Sequence, residues 1–106
     1  MEKQALPQFS DIIAAVQVLA NDVKETPLEH SKSFSKMADC NIFMKMENLQ
    51  ATGSFKVRGA YHKIARLTGD LSHGVVAASA GNHAQGVALA AQRHGIKASI
   101  FIPSTA

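Results

Sequence analysis

One stretch limits the possible folds more than any other. Gly74 to Ala78 (GVVAA) is a short apolar run that suits a buried strand of a parallel sheet. Ser79-Ala80-Gly81 follows as a tight turn. Asn82 to His94 is rich in alanine and predicts a helix, with Arg93 and His94 in its last turn and Gly95 just past its end. Ala98 to Ile102 (ASIFI) reads as a second strand, stopped by Pro103. Strand, helix and strand together fill about 30 residues, the size of a β-α-β unit. Its crossover is expected to be right-handed. This places the chain in the α/β class. Ala106 falls just after a strand, where such a sheet normally continues.

The earlier residues carry weaker signals. Ile12, Ile13, Val16, Leu19 and Ala20 lie along one helical stripe, with Ser10 as its expected N-cap. Asn21 and Thr26-Pro27 end that pattern, because a residue before proline avoids the α region. A short helical turn is expected near Ser33 to Met37, and Ile42 to Met46 reads as a strand. Glu47 to Gly53 is polar, lacks helical periodicity and reads as a loop. Ser54 then offers a cap for a second helix, whose apolar side holds Val57, Ala60, Tyr61, Ile64 and Leu67.

Composition narrows the class. Of 106 residues, 46% are hydrophobic and 18% charged. The charged share is below the level of about 25% usual for globular domains, so much of the chain is built for burial. A domain this small covers that much apolar surface with difficulty, which points to a larger fold or an obligate partner. The net charge is +3, with lysines and arginines spread from Lys3 to Lys97 and no basic run. That argues against nucleic acid, as does the shortage of aromatic side chains. Cys40 is the lone cysteine; it excludes an internal disulfide and is expected as a buried or half-buried thiol in a reducing compartment. No signal-like apolar region opens the chain, and no stretch approaches the roughly 18 residues that span a bilayer. A cytoplasmic location is expected.

Two motifs carry chemistry. In Thr52-Gly53-Ser54-Phe55-Lys56-Val57-Arg58-Gly59-Ala60, Lys56 falls in the first turn of a helix. The positive helix end and the Arg58 cation both disfavour an ammonium ion there, and a neutral amine is what attacks an aldehyde. Gly53 leaves room for a ring or phosphate near the backbone. The same letters also suit an ordinary surface lysine. In Ser79-Ala80-Gly81-Asn82-His83-Ala84-Gln85-Gly86, a strand end meets a helix N-terminus, where open α/β sheets bind ligands and backbone N–H groups suit an anion. A plain turn with Asn82 as helix cap fits these letters equally well.

Rival readings of the second motif fail on spacing. A P-loop requires Lys and Ser or Thr after its last glycine, but Val87-Ala88 follow Gly86. A dinucleotide fingerprint requires G-x-G-x-x-G and a later acidic residue, and Ile96 to Ala106 has none. His30, His62, His73, His83 and His94 form no i, i+4 pair, so no metal is expected.

Taken together, ENLQATGSFKVRGA and SAGNHAQG closely resemble the fold-type II pyridoxal-phosphate enzymes, and most of all the threonine/serine dehydratases (ammonia-lyases). Thr26-Pro27-Leu28 matches that family as well, so the resemblance runs from about Ser10 to Ala106. It implies the N-terminal part of the tryptophan synthase β-like fold, with a three-layer parallel β-α-β unit. Residues 1–52 would belong with the large domain, and 53–106 would start the small cofactor- and substrate-binding domain. The implied cofactor is pyridoxal 5'-phosphate. By the same resemblance Lys56 holds it covalently and serves as general base and acid. Phe55 packs beside its ring, and Asn82 bonds its 3'-hydroxyl. Ser79, Ala80, Gly81, Asn82 and His83 grip the substrate carboxylate. The family's glycine-rich phosphate loop lies further along than this chain extends.

The implied activity is dehydration and deamination of L-threonine, and of L-serine, to a 2-oxo acid and ammonia, in isoleucine biosynthesis or threonine catabolism. A homo-oligomer is implied for the full-length form, with an amino acid as its small-molecule partner. Serine racemases of this family carry a second serine where this chain has Ala80, so a two-base racemase is disfavoured. Threonine synthase and β-replacement enzymes share the lysine but fit the two motifs less well. An inactive folded fragment is the alternative outside catalysis.

Overall fold

The computed structural model describes residues 5–106. Met1 to Gln4, where the reading of a leaderless start and Lys3 fall, lie outside the described residues. Helix α1 spans Phe9–Leu19. Its N-cap is Gln8 rather than Ser10: the Gln8 N–H donates to Asp11 Oδ2 at 2.7 Å, which places a carboxylate at the positive helix end. Of its apolar stripe only Leu19 reaches the core, while Ile12, Ile13 and Val16 are exposed.

A small antiparallel pair follows. Strand β1 (Leu28–His30) runs against β2 (Phe43–Lys45), with His30 opposite Phe43. Only β2 was expected; three residues after a proline are too few to show strand alternation. Between them α2 (Lys32–Ala38) starts on Ser31, whose Oγ accepts the Phe34 N–H at 3.3 Å. It ends on Asp39 in the left-handed region, at φ 52°. Cys40 comes next, in the turn after the left-handed Asp39, and is exposed, contrary to the expectation of burial. The polar loop after β2 contains one 3-10 turn, Glu47–Leu49.

Helix α3 covers Lys56–Ala65 and starts two residues after the expected cap; the Lys56 N–H still reaches Ser54 Oγ at 3.4 Å. Strand β3 (Val75–Ala78), helix α4 (Asn82–Arg93) and strand β4 (Ala98–Phe101) form the expected parallel unit, with Val75 beside Ala98. Gly74 is required where the unit begins. Its φ is 78°, and a Cβ there would collide with the Lys97 carbonyl, which accepts the Val75 N–H at 2.8 Å.

The core is the seam between α3 and α4: Ala60, Tyr61 and Ile64 against Val87, Ala90 and Ala91. Val75, Ala77, Ala98 and Ile100 pack against it from one face of the sheet. Alternation along the strand turns Val76 to the other face, where it is 73% exposed. A strand buried on both faces was expected. Residues 5–106 supply helices on one face only, so the third layer is not among them. No helix among the described residues is long and apolar enough to cross a membrane.

Candidate active site

Lys56 opens α3 and is exposed. Its Nζ lies 5.4 Å from the centroid of the Phe55 ring, which is itself exposed. Gly53, with φ 73°, has open space where a side chain would be, and the nearby Thr52 hydroxyl is buried without a hydrogen-bond partner. Arg58 does not stand free beside Lys56, as the sequence suggested. Its Nε and Nη2 clasp the two oxygens of Glu47 at 2.9 and 2.7 Å. A bidentate guanidinium–carboxylate pair commits the cation to that partner.

The clasp extends further. The buried Thr26 hydroxyl donates to Glu47 Oε1 at 2.6 Å, and Lys45 Nζ donates to the Thr26 carbonyl at 2.5 Å. The buried Gln50 amide grips the Lys24 backbone twice, donating to its carbonyl at 2.6 Å and accepting its N–H at 3.2 Å. The segment from Lys24 to Thr26 is thereby pinned to the loop that leads into Lys56. Sequence reading missed these residues, because contacts 11 to 26 positions apart leave no periodic trace.

Arg58 pulls the Glu47 carboxyl down from its ordinary 4.5 to about 2; burial opposes the shift and Thr26 adds to it. A depressed folded-state pKa stabilises the fold above about 4.5, and that gain is lost as pH falls through about 2. The Arg58 side chain is 35% exposed, so water screens the pair and leaves it worth about 1–2 kcal/mol. In the intact protein Glu47→Gln should lower stability by about that amount at pH 7 and flatten its pH dependence between about 2 and 4.5. Urea unfolding at several pH values checks this; an unchanged midpoint at pH 7 would show that the pair contributes nothing.

The second motif sits at the end of β3. The Ser79 N–H continues the ladder to the Phe101 carbonyl at 3.1 Å, and Ser79 Oγ accepts the Gly81 N–H at 3.2 Å, which tightens the turn. Ala80 is exposed at its tip. Gly81, not Asn82, is the N-cap of α4, and no side chain caps that helix end. The exposed Asn82 amide makes no hydrogen bond among the described residues and is available to a ligand. His83 faces a cavity of about 430 Å³ with Gly59, Lys63 and Val76.

The two motifs meet at Gly86. This buried glycine lies one turn after Asn82 on the same helix face. A Cβ built on it would sit 3.1 Å from the Lys56 carbonyl carbon and oxygen and from the Val57 nitrogen. The start of α4 therefore lies directly on the first turn of α3. The arrangement joins a primary amine, a flat ring beside it, a free amide and an uncapped helix end suited to an anion. Open space at Gly53 and the unpartnered Thr52 hydroxyl lie just before Lys56 in the chain. These features fit an anionic aromatic aldehyde such as pyridoxal phosphate. Among the described residues no group of three His, Cys, Asp or Glu gathers as a metal site.

Comparison with known proteins gives a consistent picture. The family model described as "Pyridoxal-phosphate dependent enzyme" matches residues 19–106. An L-threonine ammonia-lyase of Thermotoga maritima is 57% identical over 96 residues, which cover 90% of this chain and 24% of that protein. The crystal structure of a threonine deaminase from T.th. superposes with a TM-score of 0.79 at 42% identity, covering 92% of this chain and 31% of that one. The structure of maize serine racemase gives 0.81 at 43% identity, covering 90% and 30%. The chain thus spans 24% to 31% of the length of these relatives.

Proposed function

This chain belongs to the pyridoxal-phosphate dependent enzyme family, and from that premise we propose that it forms the cofactor-attachment part of a threonine ammonia-lyase. Its fold is the N-terminal part of the fold-type II architecture, a mixed α/β arrangement with a parallel pair of strands. The observation that carries the proposal is the contact at Gly86, which brings the Lys56 turn and the Ser79–His83 loop together. Sequence similarity to the Thermotoga maritima enzyme supports the choice of reaction.

When bound, pyridoxal phosphate supplies an electron sink for charge left on the substrate's α-carbon. Lys56 would hold it covalently, and the free Lys56 amine would take up the α-proton. Phe55 would lie beside the ring, and the Asn82 amide would supply a hydrogen-bond donor to it. Backbone N–H groups of the Ser79–His83 turn receive the substrate carboxylate. Over the whole reaction L-threonine yields 2-oxobutanoate and ammonia, with the water lost in elimination regained on hydrolysis. L-serine yields pyruvate in the same way. A homo-oligomer and a cytoplasmic location belong to the same proposal. So does a division at residue 53 into large-domain and small-domain parts, a boundary that the Glu47–Arg58 pair crosses.

The similarity to maize serine racemase favours one second reading, racemisation. Ala80 argues against it: the loop tip offers a methyl group where a second proton donor would be needed, and Lys56 serves only one face of the substrate. The intact protein, loaded with cofactor, is expected to release 2-oxobutanoate from L-threonine while unreacted L-serine keeps its configuration. Chiral chromatography of the remaining serine is the measurement. Substantial D-serine without 2-oxo acid release would replace the lyase reading with the racemase one. Ala80→Ser should add a trace of racemisation and leave elimination as the main reaction.

A further inference from the structure

We propose that Gly86 is a positioning residue for Lys56: the absent side chain lets α4 seat on the Lys56 backbone and so sets where the lysine starts relative to Asn82. The inference rests on the reading of Lys56 as the cofactor lysine. Gly86 is buried in mid-helix, where glycine is less favourable than alanine. The chain keeps glycine there although alanine fills Ala90 and Ala91 further along the same seam, both almost wholly buried. The difference lies in what each position faces. At Gly86 a methyl group would press at 3.1 Å on the Lys56 carbonyl and the Val57 nitrogen. These are backbone atoms, which cannot rotate aside as a side-chain tip can. Val57 is 1% exposed and leaves its turn no room to retreat. An added methyl must therefore move α4 or tilt the first turn of α3, and either motion changes the distance between Lys56 and Asn82.

Gly59 is the natural control. It is also a helical glycine, on α3, but a Cβ there meets nothing within 4 Å. Alanine at Gly59 should leave the Lys56 turn in place. Ala90→Ser is the second control, because it crowds the same helix seam one turn beyond Gly86, away from Lys56.

The experiment uses the intact protein stripped of cofactor. Pyridoxal phosphate is added, and the visible absorption band of attached cofactor is followed over time. Borohydride reduction and peptide mass analysis then locate the attachment, and kcat and KM for threonine are measured separately. Attachment should be slower in Gly86→Ala, and kcat lower, by about 3-fold to 10-fold, because a 3.1 Å contact is relieved by a shift of a few tenths of an ångström and a full 1 Å would cost about 100-fold. KM should change less than kcat does, since the Ser79–His83 turn and α4 move as one piece and keep the carboxylate-binding N–H groups in place relative to one another. Gly59→Ala and Ala90→Ser should follow the unmutated protein. If Gly86→Ala folds poorly, the Gly59→Ala/Gly86→Ala double variant replaces it, the first change adding helix propensity to α3. Unchanged attachment and kcat in a folded Gly86→Ala protein would overturn the positioning role and leave the lyase reading intact. Equal losses in Ala90→Ser, or a double variant that does not fold, would reduce Gly86 to a packing residue and also overturn it. Unmutated protein that attaches no cofactor at Lys56 would overturn the lyase reading and this inference together.

Discussion

Lys56→Ala in the intact protein should abolish covalent attachment of pyridoxal phosphate and lower 2-oxobutanoate release from threonine by about 10³-fold or more, since on the proposed reading one amine supplies both anchoring and proton transfer. The structure sharpens the test by supplying a rival. Lys63 lies two turns further along α3 and lines the cavity that His83 faces. Both lysines are on one helix, so loss of activity alone does not separate them. Borohydride reduction followed by peptide mapping does. The unmutated protein should carry the label at Lys56, and Lys56→Ala should carry none. Label on Lys63 in both proteins would show that the wrong amine had been assigned.

Residues 1–106 expressed alone should release no measurable 2-oxobutanoate from threonine and should self-associate. The reason lies in what the fold leaves uncovered. Phe9, Ile12 and Val16 on α1, and Val76 and Phe101 on the sheet, are each more than half exposed. Contiguous apolar surface of this kind marks contact sites or aggregation. The site is also open, with Lys56, Phe55 and Asn82 all exposed, so water is not excluded from the reacting groups. A coupled assay for the 2-oxo acid, with light scattering on the same sample, checks both halves. Robust turnover by a monodisperse sample would show that these residues suffice for catalysis.

The parts of the fold legible in the sequence are those written in local signals. The parallel unit was readable because an apolar run, a Ser-Ala-Gly turn, an alanine-rich helix and Gly95 follow one another without interruption. The apolar side of α3 was readable from its spacing, and Val57, Ala60, Tyr61 and Ile64 are indeed buried. Exposure of the α1 stripe was not, because periodicity reports which residues share a face and not whether a partner lies there. The candidate site was legible in a different way. Lys56 and Asn82 stood out through family resemblance, while their own letters admitted a surface lysine and a helix cap. The residues that hold the site were silent: Glu47 reads as one loop acid among others, and Thr26 as a helix stop. What joins Glu47 to Arg58, or Gly86 to Lys56, is a fold-level contact with no signature in spacing. Arg58 shows the cost of arguing from sequence neighbours, since its nearest charge in space is the Glu47 carboxylate rather than the Lys56 amine.

Among the described residues the parallel sheet has two strands, so β3 and β4 each keep one side without a neighbour there. Along those sides the backbone N–H and carbonyl groups stand ready to pair, and an open strand edge takes whichever strand arrives first. During synthesis these residues leave the ribosome before any sequence that follows them. The edges must then wait for their proper partners, while the edges of other nascent copies compete. A lysine placed at an outward position such as Val76 would hinder the wrong pairings.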